Sequence, residues 1–468
     1  MSRVAVVGGG ISGLACAHRL QELAAARRLP LEVRLYEAAD RFGGNIRTES
    51  RGGFLLENGP DAFLTDKPAI LDLCGRLGIS ERIIGTNPHY RKTFVVRNRR
   101  LVPLPAGFYL VAPTDVWPFL ATPLFSWKGK LRALADLVLP RGGSGDESIG
   151  AFLRRRLGVE VLERVGQPML SGVYAGDPDA LSLAVTMPRF KELEERHRSL
   201  ILGLMRSSRR ERSLKAAKGP RYALFSSFQG GMDTLVNALV ADLGGSLVPG
   251  EAVRGVRAEA GGKWRIETDG GGALFDAVCL TASARSAGAM LERVSPALSA
   301  KLRAQSYASV ATVNLAYPES AIRHRMDGFG FVAPASEKLS FTACTFVSRK
   351  FPGRAPDRHV LLRAFAGGVF GMSFYDLPDK ALVSRAHDEL AALLGIHSGP
   401  ILASVSRYAE KMPQYTVGHA AWVSSLEEDL RRLPGLYLAG SSYKGAGIPD
   451  CVSAAESAAE SILDFISR

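Results

Sequence analysis

The sequence predicts an α/β fold that combines a parallel-sheet domain, a mixed-sheet domain and a mainly helical insert. Three patterns along the 468 residues support this prediction. The chain opens with a strand, a glycine-rich turn, a helix and a second strand. Its middle carries helical apolar spacing, and several β-rich runs follow before a last glycine turn and helix. Alternation of strand and helix at both ends favours parallel strands joined by helices.

The N-terminal unit is the clearest element. Short runs rich in Val, Leu and Tyr predict strands at residues 3–7 and 31–36, and apolar spacing predicts a helix at 11–23 between them. This is a βαβ unit, and its two strands are expected to lie parallel in one sheet.

The middle of the chain changes character. Helical apolar spacing recurs at 148–165 and 191–212, whereas the region before it is irregular because it contains five prolines: Pro103, Pro105, Pro113, Pro118 and Pro123. Beyond the insert, β-rich runs predict strands at 253–256, 264–268, 277–280, 310–315, 330–332, 339–346 and 360–365. The last four suggest an antiparallel sheet. A strand at 436–439, a glycine loop at 440–447 and a helix at 452–466 close the chain.

These elements predict a discontinuous architecture. A Rossmann-like nucleotide-binding domain is assigned to 1–60, 225–290 and 425–468, a substrate domain to 61–89 and 291–424, and the helical insert to 90–224.

Composition excludes several classes of protein. Hydrophobic residues make up 46% and charged residues 22%, which is ordinary for a globular chain. The five cysteines are scattered and include no C-x-x-C pair, so neither a disulfide scaffold nor a zinc ribbon is expected. The longest apolar stretch contains the five prolines, which argues against a membrane-spanning helix, and no signal peptide is apparent.

The net charge is +13, and the segment 189–221 contributes eleven Lys or Arg against four Glu. Such an excess suggests nucleic acid, an anionic membrane surface or an anionic substrate as partner. A solvated helical face explains the segment equally well. No nucleic-acid-binding module is present, so nucleic acid is not expected as a partner.

The N-terminal glycines form a G-x-G-x-x-G motif in its confirming context, between a strand and a helix. Gly8 permits the tight turn, Gly10 permits close approach of a pyrophosphate, and Gly13 permits close packing of helix against strand. Glu37 follows the second strand, where a carboxylate can accept the ribose hydroxyls of an adenosine. An acid there disfavours a 2′-phosphate and hence NADP, but this loop alone does not separate NAD from FAD.

A second glycine pair follows in the run Arg41-Phe42-Gly43-Gly44-Asn45-Ile46-Arg47. The pattern R-x-G-G-x-x-x-[RT] after a βαβ unit resembles the amine-oxidase-like flavoproteins, as does the closing run with Gly440 and Gly445-Ala446-Gly447-Ile448-Pro449. The resemblance implies FAD as cofactor. It implies contacts from Gly8, Gly9, Gly10, Ile11, Ser12, Gly13, Glu37, Ala38, Arg41, Gly43, Gly44, Asn45, Gly59, Pro60, Asp61, Val253, Tyr408, Gly440, Gly447, Ile448 and Pro449. Tyr408 stands where relatives often carry Trp, which leaves its role open.

Further runs resemble the oxygen-dependent protoporphyrinogen and coproporphyrinogen III oxidases in order along nearly the whole chain. They are 57–64 (ENGPDAFL), 170–177 (LSGVYAGD), 197–203 (HRSLILG), 412–415 (MPQY) and 443–451 (YKGAGIPDC). Lys67 and details around Cys344 and Cys451 resemble Bacillus-type coproporphyrinogen III oxidases more closely.

This resemblance implies a six-electron oxidation of a porphyrinogen to a porphyrin in haem biosynthesis, with oxygen as acceptor and hydrogen peroxide as by-product. Chemistry is expected at the flavin, with no catalytic side-chain base and no metal. Coproporphyrinogen III is the favoured substrate and protoporphyrinogen IX the alternative. The substrate pocket is expected from Lys67, Gly172, Val173, Tyr174, Phe329, Phe331 and Val332. Lys67 could equally be an exposed loop lysine, and the Phe pair plain core.

Two rival interpretations stay open: another amine-oxidase-like flavoenzyme, such as a carotenoid desaturase or monoamine oxidase, and a catalytically idle flavoprotein scaffold of the haem pathway. The resemblance also suggests a membrane-facing insert. The helix around Leu200 and the loop 206–221 are therefore candidates to dock on anionic lipid or on the next haem-pathway enzyme. A cytoplasmic location is expected, and the alternative is a peripheral position on the inner face of the cell membrane.

Overall fold

A five-stranded parallel sheet forms the centre of the first domain in the computed structural model, which describes residues 1–143, 145–214 and 225–468. The order across this sheet is Leu247–Val248, Leu31–Tyr36, Ser2–Val7, Ala277–Leu280 and Leu436–Leu438. All four pairings are parallel. The segments that build the sheet come from both ends and the middle of the chain, as the discontinuous pattern predicts.

Apolar side chains alternate between the two faces of this sheet. On one face pack the helices Ile11–Ala26, Asp233–Leu243 and Ile448–Ile466, with Ala69–Arg76 beside them. On the other face lie an antiparallel sheet of Val253–Glu259, Lys263–Thr268 and Gly271–Phe275 and the helices Ala284–Met290, Pro296–Arg303 and His419–Leu430. We call Ile11–Ala26 the first helix and Ile448–Ile466 the last helix.

The second domain is built on a seven-stranded sheet. Its order is Leu402–Pro413, Tyr307–Pro318, His359–Gly367, Ala343–Phe346, Gly328–Val332, Lys92–Arg97 and Arg100–Pro103. The sheet is mixed, since Gly328–Val332 and Lys92–Arg97 run parallel while the other neighbours are antiparallel. Helix Asp379–Leu394 covers one face, and Val347–Lys350 and Met372–Tyr375 are short helices nearby.

The hairpin at 92–103 moves the start of the helical insert. The insert was expected from residue 90, but Lys92–Arg97 and Arg100–Pro103 belong to the seven-stranded sheet. Their turn is formed by Asn98 and Arg99, which both have positive φ (50° and 59°), as a tight hairpin turn requires. We therefore propose that the insert begins after Pro103.

Helices dominate the insert. They are Val116–Ala121, Trp127–Leu134, Ile149–Arg156, Val159–Val161, Gln167–Tyr174, Leu183–Thr186, Pro188–His197 and Leu200–Leu214, with a π-turn at Leu162–Gly166 and two short strands at Phe108–Tyr109 and Ala112–Pro113. The helix expected at 148–165 is interrupted at Gly158 (φ 89°), and the one expected at 191–212 at Arg198 (φ 65°).

A buried ion pair explains the second interruption. The Asp136 carboxylate accepts hydrogen bonds from Arg156 Nε (2.5 Å), Ser199 Oγ (2.5 Å) and the Ile201 amide (2.9 Å). It thereby holds the start of Leu200–Leu214, while the Arg198 carbonyl accepts from Arg156 Nη2 at 2.7 Å. Leu200, Ile201 and Leu204 are buried in the insert core as a result.

Smaller elements link the domains. Phe225–Phe228 pairs with Phe63–Leu64 and Ile83–Gly85, and Thr48–Arg51 pairs with Phe54–Glu57. Among the described residues, no helix has the length and apolar character needed to cross a membrane.

Candidate functional site

The glycine turn lies at the carboxyl edge of the parallel sheet. Gly8 has φ 110°, and its amide donates to the Tyr36 carbonyl at 2.8 Å. A methyl group on Gly13 would lie 1.8 Å from the Gly8 carbonyl oxygen, so only glycine permits this crossing of helix and strand. A methyl on Gly10, in contrast, would meet nothing within 4 Å. An open concavity therefore lies at the N-terminus of the first helix, where Ile11 and Ser12 form its first turn.

Glu37 is fixed in place by this turn. Its carboxylate accepts the Gly9 amide at 2.6 Å and the Ala39 amide at 2.8 Å, with Ala38 between. The Glu37 backbone bonds Val248 and Glu251 on either side, at 3.0 and 2.9 Å. This contact brings the segment leading to Val253 alongside the carboxylate. An oriented acid at a strand end suits a ribose.

The second glycine pair closes over the first. The Gly43 amide donates to the Gly9 carbonyl at 2.8 Å, and a methyl on Gly44 would lie 3.1 Å from Gly10 Cα. Arg41 does not point into the concavity, because its guanidinium donates to the carbonyls of Phe42, Gly44 and Ile46. The role that the structure suggests for Arg41 is to hold the turn in shape.

The segment 57–61 crosses behind this turn. A methyl on Gly59 would lie 1.7 Å from the carbonyl oxygen of Asn45, and the Asn58 amide donates to the Arg47 carbonyl at 2.9 Å. Pro60 follows, and Asp61 pairs with Lys350 at 2.9 Å. The segment is thus locked to the glycine turn.

The closing motif reaches the same edge. Gly440 has φ 126° and lies beside Thr281 and Ser12, and Gly447 precedes the last helix, whose first turn contains Ile448 and Pro449. The last helix packs along the first helix. Two helix N-termini, which carry partial positive charge, therefore meet at one concavity.

These observations test whether a flavin dinucleotide fits. The open space at Gly10, the oriented Glu37 and the two helix N-termini supply a pyrophosphate and ribose site. The residues predicted from the two end motifs converge there, and together they suit FAD.

Tyr408 lies on the sheet face that looks toward this concavity. It pairs with Val310, and its phenol lies within electrostatic range of Arg363, Arg41 and Arg47. Burial raises the pKa of Tyr408, and the three arginines oppose that rise.

Helix Gln167–Tyr174 forms one wall of an adjoining space that we call the slot. The run 170–177 is helical to Tyr174 and turns at Ala175 (φ 54°). Gly172 and Val173 are exposed on the helix, and a methyl on Gly172 would lie 3.9 Å from Ala343 Cβ. The Tyr174 hydroxyl donates to the Thr186 carbonyl at 3.0 Å, and burial raises the pKa of Tyr174 to about 12.

The seven-stranded sheet supplies the facing wall. Val332 and Ala343 pack on the insert from that face, and Phe365 packs beside them with its ring partly exposed. Phe331 lies on the opposite face, where it packs against Phe341 and Phe346. The structure therefore places Phe331 in the core and away from the slot, because side chains alternate along a strand.

Two more predicted pocket residues have distinct surroundings. Phe329 is half-buried beside a bulge in its strand. Lys67 is 46% exposed, and its Nζ bonds the Asp450 carboxylate in the first turn of the last helix. Lys67 thus stands at the margin of the cofactor concavity with an internal partner.

A group of charges lies behind the cofactor segment, and of its members only Asp61 was named from the sequence as a site residue. The group comprises the buried Glu57, Arg354 and Arg363 and the half-buried Asp61 and Lys350. Burial raises the pKa of Glu57 to about 7, although the Met232 amide, Arg354 and Thr48 oppose the rise. Burial also acts to raise the pKa of Asp61, but Lys350 and Arg363 outweigh it and the pKa lies below its usual value. The two carboxylates and the three cations come from two segments that lie 289 residues apart at the Asp61–Lys350 pair, so only the LLR run around Arg363, a charge within an apolar strand, could have signalled the group.

The profile of the flavin containing amine oxidoreductases matches residues 11–463. The chain belongs to this family. It is 37% identical to the coproporphyrinogen III oxidase of Bacillus subtilis over 99% of this chain and 98% of that protein. It is 30% identical to the chloroplastic protoporphyrinogen oxidase 1 of Spinacia oleracea over 99% and 84%. A crystal structure from Exiguobacterium sp. 255-15 superposes with a TM-score of 0.86 at 30% identity, covering 100% and 99%.

Membership of this family, whose profile covers most of the chain, makes the protein an FAD-dependent oxidoreductase. The cofactor expected from the glycine motifs is confirmed.

Proposed function

We propose that this protein oxidises coproporphyrinogen III to coproporphyrin III with FAD and oxygen, releasing hydrogen peroxide. The observation that carries the proposal is the full-length similarity to the Bacillus subtilis enzyme, on a site whose cofactor residues converge. Protoporphyrinogen IX is the second candidate, since the relative from Spinacia oleracea is nearly as long a match.

The slot suits a flat macrocycle. Gly172 leaves room between the helix and Ala343, and Val173, Val332 and Phe365 give the slot apolar sides. When bound, FAD supplies the two-electron acceptor. The chain itself then has to hold the substrate against it, which is catalysis by positioning.

Tyr174 is proposed to position the substrate without exchanging a proton with it. With a pKa raised to about 12 and its hydroxyl engaged by the Thr186 carbonyl, it stays neutral at pH 7 and serves as a wall. Gln414 fixes it from behind by donating to the Tyr174 carbonyl at 2.9 Å.

Lys67 is the proposed partner of a substrate carboxylate. An ammonium group has three donors, and Asp450 occupies one direction, so the half-exposed Nζ keeps capacity for a second acceptor. Asp450 orients the lysine. Coproporphyrinogen III has four carboxylates and protoporphyrinogen IX has two. We assign the Lys67 contact to one of the two carboxylates that protoporphyrinogen IX lacks, so that only coproporphyrinogen III gains from it.

The stoichiometry of the reaction tests the proposed chemistry. Purified, FAD-loaded protein in air should release three molecules of hydrogen peroxide per molecule of porphyrin formed, measured by peroxide assay and porphyrin fluorescence. Bound FAD with no porphyrin formed from either porphyrinogen would refute the proposed function and leave the cofactor assignment standing.

A membrane-facing role is proposed for a different part of the insert than the sequence suggested. The apolar side of Leu200–Leu214 is buried up to Leu204, and the loop from 215 lies outside the described residues. Trp127, Leu131 and Val138, however, form a stripe of exposed apolar side chains along 127–138, each about two-thirds exposed or more. Trp127 and Leu131 lie four residues apart in one helix and therefore on the same side of it. Exposed Lys128 borders this stripe.

Aromatic and aliphatic side chains beside a lysine suit the interface of an anionic bilayer, such as the inner face of the cell membrane. We expect the protein to co-sediment with vesicles of anionic lipid, and Trp127→Ala with Leu131→Ser to weaken this at least tenfold. Ile401→Ser, at an exposed apolar residue elsewhere, is the control. Equal binding of all three proteins would contradict the proposal, and no binding would favour a protein partner such as another haem-pathway enzyme.

A further inference from the structure

Arg363 occupies a special position on the seven-stranded sheet. It lies in the middle of His359–Gly367, between Asn314 on one neighbouring strand and Thr345 on the other. Its side chain is 3% exposed and points to the face that meets the cofactor segment. There its Nη2 donates to the carbonyls of Gly59 and Asn58, and Thr312 Oγ1 donates to the Asn58 carbonyl at 3.1 Å.

The guanidinium is incompletely partnered. Its Nε and Nη1 are buried and have no hydrogen-bond acceptor among the described residues. Both polar atoms of the Asn314 amide, on the adjacent strand, are likewise buried and unpartnered within the described part of the chain. The group also lies over the Phe365 ring, 4.9 Å from its centroid, which connects it to the slot.

Arg363 has no carboxylate in direct contact among the described residues, although Asp61 and Glu57 lie within electrostatic range and offset part of its charge. Among the described side chains, those of residues 1–143, 145–207 and 225–468, no carboxylate oxygen lies within 4 Å of its nitrogens, whereas Asp61 pairs with Lys350 at 2.9 Å. Glu57 lies 3.9 Å from Arg354 and has its pKa raised to about 7. Three cations thus face two carboxylates, one of them partly protonated near neutral pH. Burial lowers the pKa of Arg363, yet an arginine stays protonated in proteins.

A buried charge without a partner is costly. A buried water could satisfy Nε, Nη1 and the Asn314 amide, but it would leave the charge uncompensated. The charge lies one backbone layer behind the glycine turn, since Asn58 and Gly59 contact both Arg363 and residues 45–47. A negative charge arriving at the cofactor site would therefore be stabilised there.

We propose that Arg363 is a positioning residue with two effects. It holds the carbonyls of Asn58 and Gly59 in place, and its positive charge favours the reduced, negatively charged state of bound FAD. Two-electron reduction of a flavin with uptake of one proton adds one negative charge to the ring system. The electrons and the proton come together from the C–H bond of the substrate. The inference rests on FAD binding and is independent of which porphyrinogen is oxidised.

The midpoint potential of bound FAD tests this inference, because a merely structural residue would not move it. Arg363→Gln should lower the equilibrium constant for two-electron reduction at least tenfold, which is about 30 mV. Arg363→Lys should retain most of the wild-type potential. Asn314→Asp should also lower it, since the new carboxylate would face Arg363 across the strand pair and neutralise its charge.

The matched control is Arg407→Gln. Arg407 lies on a strand of the same sheet but points to the other face, where it pairs with Asp379 at 2.7 Å. Its loss should leave the potential unchanged. Potentials are measured by dye equilibration on protein whose visible spectrum shows bound FAD.

Wild-type potentials in both Arg363→Gln and Asn314→Asp would overturn the inference. So would a raised potential in Asn314→Asp. If Arg363→Gln fails to fold, Asn314→Asp decides alone, because it preserves size and relieves an unpaired charge. The measurement of the potential does not depend on turnover of a porphyrinogen. A protein that does not oxidise the proposed substrate would therefore still give a valid test of the role of Arg363.

Discussion

Gly10 and Gly13 lie three residues apart in one motif, but the structure gives them opposite roles. A methyl on Gly13 would lie 1.8 Å from the Gly8 carbonyl oxygen and 2.8 Å from Thr281 Oγ1. Apart from its own chain neighbours, a methyl on Gly10 would meet no atom of the described residues within 4 Å. Gly10 also has ordinary backbone angles (φ −72°, ψ −178°), so alanine fits it without strain.

The two alanine variants should therefore separate fold from cofactor binding. In the apoprotein, Gly10→Ala replaces a favourable N-cap residue, which destabilises the first helix. It also reduces the entropy of the unfolded chain, which stabilises the fold. Each effect is up to about 1 kcal/mol, and the two oppose each other. Its unfolding free energy should stay within about 1 kcal/mol of wild type. Gly13→Ala forces backbone apart and should cost about 1–3 kcal/mol or more.

FAD affinity should be the property that Gly10→Ala changes. The methyl of this variant occupies the space where the pyrophosphate is expected, so we predict at least a tenfold weaker Kd, about 1.4 kcal/mol. Urea unfolding of the apoprotein and titration of flavin fluorescence measure the two quantities. The assignment of the pyrophosphate site would be refuted if Gly10→Ala bound FAD as tightly as the wild type. It would also be refuted if Gly10→Ala destabilised the fold as much as Gly13→Ala does.

Three further outcomes follow from the site. Lys67→Ala should raise KM for coproporphyrinogen III at least tenfold and more than for protoporphyrinogen IX, while Lys263→Ala, an equally exposed lysine paired with Asp276, should change neither. Gly172→Leu should abolish turnover while the spectrum of bound FAD is kept, whereas Gly172→Ala, whose methyl stays 3.9 Å from Ala343, should remain active. The pKa of Glu57 is about 7 in the folded protein, compared with 4.5 for an unperturbed glutamate. Between these two pH values the folded protein binds more protons than the unfolded chain, so the free energy of unfolding should fall as the pH rises from 4.5 to about 7. Glu57→Gln should reduce this fall by about 3 kcal/mol, measured by urea unfolding at pH 5 and 8, and an unchanged pH dependence would contradict the buried position of the carboxylate.

Local chemistry explains what the sequence could predict. Gly8, Gly13 and Glu37 belong to one continuous βαβ unit, whose spacing constrains geometry directly. The strand at 31–36 was predicted at its observed bounds for the same reason. At the other end, Gly440 and Gly447 could be matched because the motif is short and precedes a helix.

Non-local contacts account for the rest. Arg363 acquires its place only through the register of three strands, and nothing within its own run reveals Asn314 or Gly59 as neighbours. The break at Arg198 depends on Asp136, about sixty residues away. Phe331 and Val332 are adjacent in sequence, yet the pleat sends them to opposite faces, and the sequence does not show which face meets the slot.

The central claim is that this flavoenzyme prefers the porphyrinogen with four carboxylates. The direct measurement is kcat/KM for coproporphyrinogen III and protoporphyrinogen IX, determined side by side in air from porphyrin fluorescence with the same FAD-loaded preparation. We predict at least a tenfold preference for coproporphyrinogen III. Equal values, or a preference for protoporphyrinogen IX, would contradict the account and return Lys67 to the role of a surface lysine.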